Sequence, residues 1–136
     1  MKNFILSFIL LLLSQTLSAE KYVVIANKSM KTLSKSQIKA IFLKKMSLVD
    51  DMKLVPVALQ ARDSLRKNFE SRVLKMSFTR LKSYWTKQHY LGHRPPLSLK
   101  SQASVKAFVK KVDGAVGYIS RKNLDSDLKV LYTWED

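Results

Sequence analysis

The sequence has no cysteine, which excludes disulfides, thiolate metal sites and the lipid anchor of a lipoprotein. Glycine and proline are sparse, three of each, and no internal repeat, low-complexity tract or linker divides residues 20–136. Acidic residues are scarce as well. Ten Asp and Glu stand against twenty-five Lys and Arg, for a net charge of +15. A field of that sign recruits anions and is screened over about 8–10 Å in physiological salt. Charge alone does not choose among them: small oxyanions, anionic head groups, envelope polymers and nucleic acid are all admissible. Long apolar runs are missing too; none reaches the roughly 20 residues that a membrane-spanning helix needs.

What is present begins with a short apolar run, Phe4 to Leu13, preceded by Lys2 and followed by Ser14-Gln15-Thr16-Leu17-Ser18-Ala19. That is the layout of a secretory signal peptide. Residues 1–19 are expected to be removed, with a cut after Ser18 as the alternative, because it places Thr16 rather than Leu17 three residues before the cut. The expected product, residues 20–136, is periplasmic and the size of one domain. Such a domain buries roughly 65% of its unfolded surface and needs no covalent staples.

Tyr22 to Ala26 is a continuous apolar, β-branched run, as a buried strand should be. Ser34-Lys35-Ser36-Gln37 fits a capping box, and Ile38, Ile41 and Phe42 continue it as a helical stripe. Lys44 to Lys53 reads as a loop. Leu54 to Leu59 is a second strand, expected at a sheet edge or irregular because Pro56 cannot donate to a ladder. From Ser64 the period is helical, with Leu65, Phe69 and Val73 on one face. Ser77 caps a further helix with Phe78, Leu81 and Trp85 inward, and Gly92 and Pro95-Pro96 end it and open a basic loop. Ser101 caps the next, with Val105, Phe108, Val109 and Val112 on one face. Asp113-Gly114 is a turn, Ala115 to Ile119 a third strand and Leu128 to Tyr132 a fourth. The predicted core includes Val24, Ile25, Ile41, Phe42, Val57, Phe69, Leu81, Trp85, Phe108, Val116 and Ile119. Strands mixed with amphipathic helices make this an α/β layered domain.

Few residues carry obvious chemistry. His89 and His93 are four apart, the spacing of a helical metal pair, but Gly92 and Pro95 argue against a helix through His93. No nearby Asp, Glu or Cys supplies a third ligand. Ser64 lacks the glycine-flanked elbow of a hydrolase nucleophile, and no carboxylates form an evident acid–base pair, so neither an enzyme nor a cofactor is expected. Gly114 and Gly117 lack the Lys-Ser of a phosphate loop and read as turn and close-packing residues. Tyr84, Trp85 and Tyr90 among Arg80, Lys82, Lys87 and Arg94 resemble the aromatic and basic mixture of nucleic-acid binders. Export and the apolar face of Trp85 weigh against that reading, and no nucleic acid is expected.

The order of these pieces resembles the small phosphate-transporter substrate-binding-like family with the type 2 periplasmic binding fold. The phrases that carry the likeness are Leu33-Ser34-Lys35-Ser36-Gln37-Ile38 with Ile41-Phe42, Leu54-Val55-Pro56-Val57, and Asp63-Ser64-Leu65-Arg66 with Phe69. Tyr84-Trp85, Gly92-His93-Arg94-Pro95-Pro96 and Gly114-Ala115-Val116-Gly117-Tyr118-Ile119 complete the series. The resemblance implies one lobe of such a fold, a mixed sheet with flanking helices. It implies phosphate or a related oxyanion as ligand and an ABC transporter or envelope protein as partner. In two-lobed relatives an Arg shortly before a Ser-Gly-Thr turn contributes to the anion site. The matching stretch here is Arg62-Asp63-Ser64-Leu65-Arg66, without the Gly and Thr, which makes Arg62, Ser64 and Arg66 the candidate ligand-binding residues. Two readings of Ser64 stay open, an anion contact or an ordinary helix-start residue with itself or Asp63 as cap. A second function also stays open: a basic single-lobe interaction module that meets an anionic envelope partner without a specific small ligand.

Overall fold

The computed structural model describes residues 19–136, so all but the last residue of the expected signal sequence lies outside it. Its strands are β1 (Lys21–Asn27), β2 (Leu48–Val49), β3 (Met52–Lys53), β4 (Val55–Leu59), β5 (Leu97–Leu99), β6 (Ala115–Ser120) and β7 (Leu128–Glu135). The helices are α1 (Lys35–Phe42), α2 (Ser64–Arg72), α3 (Phe78–Tyr90) and α4 (Gln102–Lys111). Five strands form one sheet in the order β5-β4-β6-β1-β7. β4 is parallel to both β5 and β6, while β1 is antiparallel to β6 and to β7. Four strands therefore run one way and β1 alone runs against them. The fold is an α/β mixed sheet with flanking helices.

The two faces are filled by different helices. Phe69 of α2 stacks on Tyr118 of β6 with centroids 4.2 Å apart, and Phe42 of α1 meets both rings. On the opposite face, Gly117 lets α4 settle close to the sheet. A methyl group there would lie 2.6 Å from Val105 and 3.1 Å from Val57. Val23, Val24, Ile25, Val57, Val116 and Ile119 form the apolar centre between these layers. Ser34 caps α1 by the reciprocal bonds of a capping box: its Oγ accepts from Gln37 N–H at 3.2 Å, and its own N–H donates to Gln37 Oε1 at 2.8 Å.

Pro56 lies in an interior strand, not at an edge. Its missing donor is harmless for a local reason. Val55 N–H donates to Gly114 O at 2.9 Å, toward β6. Alternation turns the nitrogen of Pro56 the other way, where β5 begins only opposite Val57. The stretch 44–53 is more ordered than a loop. Leu48 and Val49 pair with Lys53 and Met52, and Asp50 and Asp51 both take positive φ, 47° and 65°, as a two-residue hairpin turn requires. The basic loop after α3 contains β5, and β7 runs three residues past Tyr132 to Glu135.

Two predicted core residues are half-buried instead: Trp85 and Phe108 pack at the margin. Phe78, expected on the inner face, is 76% exposed. Helical side chains lean toward the N-terminus, so the first residue of α3 leans past the helix end and away from the sheet.

Candidate functional site

Three parallel strands, β4, β5 and β6, end at one edge of the sheet, where open α/β folds commonly bind ligands. The corner from β4 into α2 is built from side chains. Leu59, the last residue of β4, donates its N–H to the hydroxyl of Tyr118 at 3.1 Å. Its carbonyl accepts from Arg66 Nη1 at 3.0 Å and from Ser98 Oγ at 3.3 Å. Burial pushes the phenol of Tyr118 well above its ordinary range, so it stays neutral. Asp63 N–H then closes a turn onto Gln60 O at 2.9 Å, and α2 begins at Ser64.

Asp63, rather than Ser64, is the cap, because its carboxylate accepts Leu65 N–H at 2.9 Å. Ser64 is the first helical residue, with an exposed side chain. Arg62 is exposed in the turn, and among the described residues it meets no carboxylate. The N–H groups of Ser64 and Arg66 find no protein acceptor among those residues. Arg66 is engaged elsewhere: besides holding Leu59, its Nε lies 3.3 Å from Glu70 Oε2. The structure thus brings Arg62 and Ser64 to the open helix start and turns Arg66 back toward the sheet. The positive end of the helix dipole adds to the two free donors. Asp63 opposes it with a negative charge.

A second polar group at the same edge was not read from the sequence. Ser120, at the end of β6, is 3% exposed. Its N–H donates to Gln102 Oε1 at 2.8 Å and its hydroxyl to Glu20 at 3.0 Å. Asn123 Nδ2 donates to the same Gln102 oxygen at 2.7 Å. These bonds tie the start of β1, the end of β6 and the start of α4 together. The partners lie up to 100 residues apart in sequence, a pairing that no local pattern reveals.

A cavity of about 1320 Å³ opens between α2 and α3 and includes Arg66, Trp85 and Trp134. Elsewhere, His93 Nδ1 lies 2.8 Å from Gln88 Oε1, and α3 stops at Tyr90 with Gly92 at φ 83°. Among the described residues no three His, Asp or Glu side chains converge to hold a metal.

No protein-family model and no curated protein sequence matches the chain. Solved structures do. One is an ABC-type phosphate transport receptor from Vibrio cholerae, with a TM-score of 0.67 and 20% identity over 85% of this chain and 47% of that one. Another is a protein from Clostridium perfringens described as a phosphate ABC transporter substrate-binding protein, with phosphate bound. It gives a TM-score of 0.67 and 19% identity over 84% of this chain and 45% of its own. The fold matches the single-lobe fold of these structural neighbours. The chain spans just under half the length of these two binding proteins, and at such identity the likeness is one of fold.

Proposed function

We propose that this chain is a non-enzymatic, exported solute-binding lobe that holds a small oxyanion, phosphate foremost, at the start of α2. The observation that carries the reading is the meeting of two free amides, the Ser64 hydroxyl and the uncompensated Arg62 at the carboxyl edge of β4. Structural likeness to phosphate receptors supports it. Arg62 offers bidentate contacts, Ser64 a hydroxyl, and Arg66 keeps the corner rigid by holding the Leu59 carbonyl. One lobe leaves the anion half solvated, because two-lobed binders surround their ligand by closing. Affinity is therefore weak, roughly micromolar to millimolar, unless a transporter, another envelope protein or a second copy covers the site.

Calorimetric titration of residues 20–136 with phosphate tests this, at low and at physiological salt. Wild type should bind one equivalent, and the Arg62→Ala/Ser64→Ala double variant should lose at least tenfold in affinity. Binding that is salt-sensitive yet unchanged in the double variant would assign it to diffuse surface charge.

A further inference from the structure

We infer that the groove between α2 and α3 is a docking surface for an acidic polypeptide segment that also presents apolar side chains. This surface shares Arg66 with the oxyanion reading above but includes neither Arg62 nor Ser64, and it does not depend on that reading. From Ser71 to Val112 the chain contains ten Lys and Arg and no Asp or Glu, and this stretch supplies one wall of the groove. Arg72, Lys75 and Lys82 line it, and none of the three meets a carboxylate among the described residues. The two acidic residues of the lining are already paired, Glu70 with Arg66 at 3.3 Å and Glu135 with Lys21 at 3.9 Å. The field inside is cationic.

Beneath the cations the surface is apolar. Phe78 projects with 76% of its surface exposed, and half-buried Trp85 lies on the same face of α3, seven residues on. Buried Leu81 is between them, and Trp134 closes the far side. A hydrated phosphate neither fills about 1320 Å³ nor gains from aromatic walls. The volume exceeds the roughly 300–1,000 Å³ usual for small-molecule sites. A concave surface also disfavours a flat bilayer, whereas a polypeptide segment enters a groove with apolar anchors while its carboxylates meet the rim. That combination matches recognition of a segment in a hydrophobic groove, with charge complementarity steering its approach.

Both tryptophans of the chain, Trp85 and Trp134, line this groove, so intrinsic fluorescence reports its occupation. The probe is a short Glu-rich peptide with two interspersed Leu, titrated into residues 20–136. Controls carry Gln for Glu or Ser for Leu; phosphatidylglycerol vesicles and an oligothymidylate are titrated in parallel. The Glu/Leu peptide should bind at least tenfold more tightly than either control peptide and weaken as salt rises. Arg72→Glu/Lys82→Glu should reduce that affinity at least tenfold. Phe78→Ser should reduce it several-fold with unchanged Tm, since the ring is exposed. Arg62→Ala/Ser64→Ala should leave it intact, which separates this surface from the oxyanion site. Equal binding of the Glu and Gln peptides overturns the proposal, as does an unchanged affinity in a folded charge-reversal variant. Tighter binding to vesicles or to the oligonucleotide assigns the surface to those partners and also overturns it.

Discussion

The hydroxyl of Tyr118 accepts the backbone N–H of Leu59 at 3.1 Å, across the sheet from β6 to the last residue of β4. The contact is buried, so the amide has no water to fall back on. Tyr118→Phe keeps the stack on Phe69 but leaves that N–H unsatisfied. It should cost about 1–3 kcal/mol, read as a lower denaturant midpoint with unchanged slope. A loss no greater than that of an exposed Tyr90→Phe control would show that the bond contributes nothing.

Gly117 and Gly114 should fail differently when substituted by Ala. At Gly117 the new methyl meets the Val105 side chain at 2.6 Å, overpacking that typically costs about 1–3 kcal/mol. Val105→Ala opens the space, so the double variant should be more stable than the sum of the singles. At Gly114 the methyl would overlap the backbone oxygen of Lys53, at a φ of 83°. No side-chain truncation relieves that contact, and Val105→Ala should not rescue Gly114→Ala. Thermal denaturation of the three single and two double variants distinguishes the two cases.

Much of this fold was legible because it is written locally. Ser34, Asp63-Ser64, Ser77 and Ser101 mark helix starts, and the run Tyr22 to Ala26 announces a buried strand. The rest depends on partners distant in sequence. Pro56 reads as an edge residue until β5 is known to begin one residue later. Leu97 to Leu99 is too short to signal a strand; parallel pairing with β4 makes it one. Phe78 and Trp85 share the periodicity of Leu81, but period alone does not say how far along α3 the body of the protein extends. For the candidate site, Arg62 and Ser64 are neighbours in sequence and were singled out by the family resemblance. The inward turn of Arg66 follows from the carbonyl of Leu59, and the Ser120–Gln102 network was hidden entirely.

The ion pairs of Asp125 should give stability a defined pH dependence. Hydrogen bonds from Lys110 and then Lys106 hold its carboxyl below its ordinary value, and the bond to Asp125 raises Lys110 above its own. A lowered carboxyl pKa stabilises the folded state above the unfolded value, and that contribution disappears as pH falls through the lowered pKa. The raised lysine contributes below its unfolded value and loses that contribution as pH rises through the raised one. Tm measured against pH should therefore show wild type above Asp125→Asn on a neutral plateau, with the gap narrowing at both extremes. A gap independent of pH would mean that Asp125 acts by packing and not by charge.

Asp63 links the stability of α2 to the proposed oxyanion site, and its two roles can be separated. The carboxylate accepts Leu65 N–H as the N-cap, and Asn, which ranks with Asp as a cap, offers the same acceptor without the charge. Asp63→Asn should therefore leave Tm nearly unchanged, while Asp63→Ala should lose about 1 kcal/mol of stability. The effect on phosphate should run the other way. The Asp63 charge stands at the end of α2 where the free amides of Ser64 and Arg66 and the side chain of Arg62 would hold an anion. Removing it takes away a like-charge repulsion in a half-solvated site, so Asp63→Asn should bind phosphate several-fold more tightly than wild type. Calorimetry at a pH where phosphate is mostly dianionic is the decisive measurement. Weaker binding there would give Asp63 the opposite role, accepting a hydrogen bond from the P–OH of monohydrogen phosphate, and unchanged binding would move the anion away from the start of α2.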